Sequence, residues 1–203
     1  ITTSGGGGGG GSLSSFAKVS DTKYSASFTP DGEGLKSFVV NADVFQDKAS
    51  NGNLVSNTFE WTYDITDPTI TITAEEGVSG FESNDAVLRL IFTFSEAVVD
   101  FTQSDITTSG GSISSTLTSI SDAKYSASFT PDGEGLKTIV INANMLQDKA
   151  GHGNLASNTF EWTYDITDPT ITITAEEGVS GFESNDAVLR LIFTFSEAVV
   201  DFT

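Results

Sequence analysis

Carboxylates set in turns are the side chains of this chain best placed by type and spacing to do chemistry. The heptapeptide YDITDPT occupies residues 63–69 and returns at 164–170. Each copy sets two aspartates three positions apart, Asp64 with Asp67 and Asp165 with Asp168, just before a proline that stiffens the next segment. Glu96, Asp100 and Asp105 follow one apolar run, and Asp148 and Asn154 follow another. Ionised carboxylates and loop carbonyls are hard oxygen donors, of which Ca2+ takes six to eight at roughly 2.3–2.6 Å. The plainer alternative is a set of solvated acidic turns, with Asp148 capping its own loop. A second acidic group, Glu75, Glu76, Glu82 and Asp85 with Asp132 and Glu134, is explained by solubility and protection of sheet edges, and is the weaker ion candidate.

The residues offer little for catalysis. His152 is the single histidine, and the corresponding position of the sister repeat is Asn51, so it is neither a required base nor a required ligand. A Ser-His-Asp arrangement has no further histidine to draw on. Paired carboxylates of the glycosidase kind are allowed by residue type. However, the acids concentrate in turns and no insertion between the strands would form a cleft. The chain reads as a non-enzyme.

These donors are carried by a repeat. Residues 56–102 return letter for letter as 157–203, a period of 101 residues. Solenoid units run roughly 20 to 50 residues, so each repeat is expected to close its own core as one domain. Twenty-eight acidic against nine basic side chains give a formal charge of −19, which repels nucleic acid and anionic membrane and attracts cations. Without cysteine there is no disulfide and no thiolate metal site, leaving core packing, with or without hard cations, to supply stability. No apolar run approaches a membrane span and no signal-peptide pattern opens the chain, so any anchor or export signal is expected outside it.

The elements that must position the acids are strands. TITITA at 69–74 alternates with period two, and AVLRLIFTF at 86–94 is a longer apolar run of the same character. SISSTLTSISDAKYSASF at 112–129, KTIVINAN at 137–144 and TFEWTY at 159–164 continue the pattern. PDGEG, KAGHGN and TDP supply the turns between them. About seven strands per period is the mark of a β-sandwich. The inward anchors are expected to be Leu88, Leu90, Phe92, Tyr125, Phe129, Ile139, Ile141, Phe160 and Trp162. Residues 5–11 are seven glycines where the sister repeat has only Gly110 and Gly111. They read as a flexible linker, a stand-in for unidentified residues or a tolerated surface insertion. A phosphate loop is not expected, because neither Lys-Ser nor Lys-Thr follows.

FTFSEAVVDFTQSDITTSGGSIS and LQDKAGHGNLASN resemble the bacterial Ig-like repeats of large surface adhesins and biofilm proteins, and the resemblance covers the whole period. It implies an all-β class made of tandem immunoglobulin-like Greek-key β-sandwiches, export to the extracellular space or cell surface, and a role as stalk or adhesive spacer. In that order TITITA is strand A, AVLRLIFTF is B, the Gly-Gly region holds C and its neighbour, KYSASF is E, KTIVINAN is F and TFEWTY is G. The expected division is a partial repeat at 1–66 lacking its first two strands, a complete repeat at 67–165, and the first two strands of a following repeat at 166–203.

YDITDPT resembles a cadherin-type calcium linker. The same strand order turns the B–C and F–G loops toward it, which would gather Glu96, Asp100, Asp105, Asp148 and Asn154 with Asp64 and Asp67 around one Ca2+ at the joint between repeats. The second acidic group falls at the opposite end of the unit. The split ends leave two expectations for partners. One is an excerpt of a continuous array whose partners are neighbouring repeats, the simpler of the two because the cut falls within a loop. The other is a filament subunit whose copies join head to tail by strand complementation. The leading function is a structural repeat that spaces and stiffens an extracellular stalk, adhesin or filament. A domain that binds a surface glycan or protein is the rival, for which Phe45 and Phe81 are the only aromatic candidates. Neither nucleic acid nor membrane insertion is expected.

Overall fold

The computed structural model describes residues 1–5, 10–114 and 116–203, so the reading of the glycine run lies outside the described residues at positions 6–9. The chain is all-β, and among the described residues the only helical segment is a 3-10 turn at Gln103–Asp105. The first stretch contains β1 (Thr2–Gly5), β2 (Gly11–Ser20), β3 (Lys23–Pro30), β4 (Gly34–Val39) and β5 (Phe59–Tyr63). The central stretch contains β6 (Ile70–Ala74), β7 (Phe81–Ser83), β8 (Leu88–Phe94), β9 (Val98–Val99), β10 (Ile106–Ser109), β11 (Gly111–Ile113), β12 (Thr118–Ser121), β13 (Lys124–Pro131), β14 (Gly135–Ile141), β15 (Gln147–Asp148) and β16 (Phe160–Tyr164). A final hairpin is made of β17 (Ile171–Ala175) and β18 (Leu191–Phe195).

The central strands form two sheets with one shared core. One sheet runs β11-β13-β8-β6, with β12 also on β13, and the other runs β10-β14-β16-β7. Period-two alternation explains why these segments are strands. Ile70 and Ile72 point inward while Thr71 and Thr73 face water, and Leu88, Leu90, Phe92 and Phe94 do the same on β8. Eight of the nine expected anchors are fully buried, and Tyr125 packs half-buried against them. Ile70, Ile72, Phe94, Ile106, Ile113 and Leu146 also belong to this core. Fully burying such side chains contributes about 1.5–3 kcal/mol each.

Two polar devices fasten the core strands, the first within one sheet and the second onto the edge of the other. Trp162 Nε1 donates to Ser83 Oγ at 3.1 Å, so the largest buried side chain leaves no unsatisfied donor. Asn158 clamps the edge strand β6, accepting from Ile72 N–H at 2.8 Å and donating to Ile72 O at 3.1 Å. The Gly-Gly step between β10 and β11 is a steric requirement. Gly110 has φ +76°, and a Cβ on it would meet the Lys137 side chain, while one on Gly111 would run into Phe129.

The other strands repeat parts of this plan with different burial. β1-β4-β5 form one sheet and β2-β3 a separate hairpin, and β17 pairs with β18 alone. Trp61 is 40 % exposed where Trp162 is 0 %, and Phe59 is 63 % exposed where Phe160 is 1 %. On the final hairpin Ile173 is 58 % exposed where Ile72 is 1 %.

Candidate functional site

The two YDITDPT linkers adopt the same locked geometry. In the first, Glu33 Oε1 accepts the Ile65 N–H at 2.9 Å and the Thr66 hydroxyl at 2.8 Å, while Asp64 Oδ1 accepts the Thr66 N–H at 3.1 Å. Pro68 is buried and its carbonyl accepts Leu155 N–H at 2.9 Å. Thr69 then exchanges two bonds with Ser95, at 2.9 Å to the side chain and 3.0 Å from the backbone.

In the second linker, Glu134 Oε1 accepts from Ile166 N–H at 3.1 Å and Thr167 Oγ1 at 2.7 Å. Asp165 Oδ1 accepts from Thr167 N–H at 2.8 Å, and Thr170 bonds Ser196 at 2.9 Å. A glutamate from the turn before β4 or β14 thus fastens the chain leaving β5 or β16, and a serine after β8 or β18 fastens it as the next strand begins.

Carboxylates converge at each joint. Ligand atoms of Asp64, Asp148 and His152 all lie within 4.8 Å of one another. Glu96 lines a cleft with Thr62, Asp64, Ala97, Lys149 and Ala150. Partial desolvation raises the Glu96 carboxyl above its usual value, helped by the charges of Asp64 and Asp148 and by a hydrogen bond to Asp64. At the second joint Glu197 is raised in the same way, first by desolvation and then by Asp165, Glu82 and Glu134. Its Oε1 is shielded from solvent with no hydrogen-bond partner among the described residues. Carboxylates forced together in this manner favour a proton or a cation between them.

The expected ligands separate into those at the joint and those used elsewhere. Asp64, Glu96 and Asp148 come together, and Asp165 lies beside Glu197, which was not among the expected ligands. Asp67 and Asp168 are exposed on the linkers. Asp100 is exposed in a turn, with φ +60°.

Asp105 caps the 3-10 turn, accepting from Thr102 N–H at 2.7 Å and the Thr102 hydroxyl at 3.1 Å. Asn154 is buried and its amide is fully engaged: it accepts from the N–H groups of Met145 and Leu146 at 2.8 and 3.0 Å and donates to Asn142 O and Leu155 O at 2.9 and 2.8 Å. Asp148 does cap its own loop. Its Oδ1 accepts from Gly151 and His152 N–H at 2.6 and 2.9 Å, and its Oδ2 sits 3.1 Å from His152 Nδ1. Burial pushes this carboxyl up, but the hydrogen bonds from His152, Gly151 and Ala150 outweigh it and hold the group below the usual range.

Sequence reasoning left out Glu33 and held Glu82 and Glu134 as the weaker ion candidates, explained by solubility and edge protection. Their recurrence at the same distance before each linker, Glu33 to Asp64 and Glu134 to Asp165, was the available signal. Phe81, an aromatic candidate for a ligand platform, stacks on Trp162 at 6.2 Å and belongs to the core margin.

The pKa directions set a testable pH response. Glu96 is raised on folding, so its contribution is present below its ordinary value, near 4, and is lost as pH rises through the folded value. Asp148 is lowered, so its contribution is present above that ordinary value and is lost as pH falls through the folded one. In chelator, Glu96→Gln is expected to stabilise the central strands at pH 7 and not at pH 4. Urea unfolding at the two pH values measures this, and an equal effect at both would refute it.

Residues 64–164 match a family model described as a bacterial Ig-like domain, a stretch one full period long that runs from the first joint to the end of β16. Comparison with curated proteins returned no match.

Proposed function

Residues 64–164 are a bacterial Ig-like domain, and from that premise we propose that the chain is a stretch of tandem immunoglobulin-like Greek-key sandwiches acting as spacer and stiffener in an extracellular stalk, adhesin or filament. The observation that carries this is the linker lock, made twice with the same partners. Glu33 and Glu134 hold the chain on the leaving side, and Ser95 and Ser196 hold it on the entering side. A connection whose backbone donors are tied at both ends has lost most of the freedom of a flexible linker. The role requires no catalysis, and the carboxylates of the joints serve geometry. No helix among the described residues is long and apolar enough to cross a membrane.

The direct test removes the lock. Glu33→Ala with Glu134→Ala should leave the core intact and broaden the small-angle scattering profile toward that of jointed, independently moving units. A profile identical to wild type would refute the stiffening role.

Calcium at the joints belongs to the same proposal, supported by the raised Glu96 and Glu197 and by the carboxylates around them. Asp64 and Glu96 at one joint, and Asp165, Glu197 and Glu82 at the next, would hold the ion and bridge successive units, with Asp148 already engaged in its loop. Millimolar Ca2+ should then raise the unfolding midpoint by about 5 °C, through preferential binding to the folded state. The rise should shrink at acid pH as the carboxyls protonate, and should be cut in Glu96→Gln. An unchanged midpoint at neutral pH would exclude the ion and leave the hydrogen-bonded lock as the sole stiffener.

A further inference from the structure

The loop after β15 carries a ring nitrogen beyond what its own fold needs. Asp148 is buried, its Oδ1 accepts the Gly151 and His152 N–H groups, and its Oδ2 faces His152 Nδ1 at 3.1 Å. An ionised carboxylate only accepts hydrogen bonds, so Nδ1 carries the proton and the lone pair of the neutral ring sits on Nε2. The sister loop makes the same lock without a histidine. Asn51 donates from its backbone to Asp47 Oδ1 and from its side-chain amide to Asp47 Oδ2, both at 2.9 Å. What histidine adds at position 152 is the second ring nitrogen.

Three elements bring carboxylates to that ring. β9 pairs with β15 and sets Val98 opposite Asp148, which places Glu96, two residues earlier, beside the loop. The linker supplies Asp64, whose Oδ1 is fixed by the Thr66 N–H at 3.1 Å. Ligand atoms of Asp64, Asp148 and His152 lie within 4.8 Å of one another, and Glu96 shares a hydrogen bond with Asp64 in the same cleft. Asp64, Glu96 and His152 are half-buried, whereas Lys149 on the cleft wall is exposed. All of these residues fall inside the matched domain, 64–164.

The nitrogen changes which ion fits. Ca2+ and Mg2+ take oxygen donors, whereas imidazole suits Zn2+ and its transition-metal neighbours, with carboxylates completing the set. We propose, resting on the reading of this joint as a cation site, that Asp64, Glu96 and His152 Nε2 bind a divalent transition ion of the Zn2+ class in preference to Ca2+. Asp148 is the positioning residue. A carboxylate on the far ring nitrogen fixes the tautomer and raises the basicity of the ligating one. The ligands come from the linker, the turn after β8 and the loop after β15, so the ion ties the linker to the unit it enters.

Titration calorimetry with ZnCl2 on the full, tag-free chain tests this, His152 being the single histidine. The expected result is one Zn2+ per chain, retained in millimolar Ca2+. Its affinity should fall by more than about 100-fold in His152→Asn, beyond what loss of an orienting partner alone costs. That variant copies the sister loop, so its unfolding midpoint in chelator should match wild type. In the wild-type chain, Zn2+ should shift the Nε2 resonance of His152 more than the Nδ1 resonance, a measurement that needs no substitution. Equal Zn2+ uptake by wild type and His152→Asn overturns the proposal, as does displacement by millimolar Ca2+ or a wild type that takes up no Zn2+. A larger shift at Nδ1 does the same. The calcium reading fails separately, by an unchanged midpoint when Ca2+ is added to His152→Asn, where the imidazole plays no part.

Discussion

Trp162→Ala is expected to cost the central unit about 3–5 kcal/mol, the range for removing a large aromatic from a closed core. Trp61→Ala, the same change in the same FEWTY segment one period earlier, is expected to cost under about 0.5 kcal/mol at low protein concentration. Trp162 is fully buried, its ring packs edge-on against Phe129 at 6.2 Å and it stacks with Phe81 at the same distance, and its indole N–H is satisfied by Ser83. Truncation leaves a cavity between two sheets, while Ser83 keeps its own bond to Asp85 at 2.7 Å. Trp61 is half-exposed, with Phe28 edge-on at 6.3 Å and β4 the one strand paired with β5 among the described residues, so truncation there opens little enclosed space. A loss of 3–5 kcal/mol is a large share of the roughly 5–15 kcal/mol that holds a domain together. Urea unfolding followed by circular dichroism and by exchange of β8 and β14 amides measures both variants. Similar losses in the two would show that the first stretch closes a core of its own.

Asn154→Ala is expected to cost about 3 kcal/mol, and the sister change Asn53→Ala about 1 kcal/mol. The comparison isolates burial, because the hydrogen bonds are the same. Asn53 accepts from Val44 and Phe45 N–H at 2.9 and 3.1 Å and donates to Asn41 O and Leu54 O at 2.7 and 2.8 Å. Asn154 makes the corresponding four bonds while almost wholly buried. Removing its amide strands two backbone donors and two carbonyls where water reaches them poorly, whereas around Asn53 water replaces the lost partners. Trp162 fluorescence in a Trp61→Phe background follows the first variant, and circular dichroism of the β2–β5 region the second. Equal costs would mean that the loop opens to water at Asn154 and that burial contributes nothing.

The strands of the central core were legible because one face of each is buried, which imposes the period of two. Leu88, Leu90 and Phe92, or Ile139 and Ile141, can be read inward from their spacing alone. The parallel pairing of β7 with β16 was not legible. FES is too short to show a period, and its place is set by Trp162, far away in sequence. For the same reason Phe81 looked like an exposed aromatic.

At the joints the aspartates stood out by their regular spacing before proline, and the role of Asp148 as a loop cap had been foreseen as the alternative. Glu33 and Glu134 did not stand out, because a glutamate in a Gly-rich turn looks solvated until the linker is seen to fold onto it. Nor could spacing tell that Asp105 and Asn154 spend their oxygens on their own loops. That depends on which backbone N–H groups end up buried beside them.

Taken by itself, the sequence determined the β class, the 101-residue period, the acidic surface and the Ig-like character of the repeat, since alternation, identity and charge are properties of the chain read along its length. Tertiary structure alone decided which copy of each repeated residue is core. Trp61 and Trp162 sit in identical FEWTY segments, as Ile72 and Ile173 sit in identical ITITA segments, and one of each pair is buried while the other meets water. Local sequence cannot distinguish them. Burial is conferred by neighbouring strands distant in sequence: Phe129 of β13 in the opposite sheet and Phe81 of β7 beside β16 both pack on Trp162.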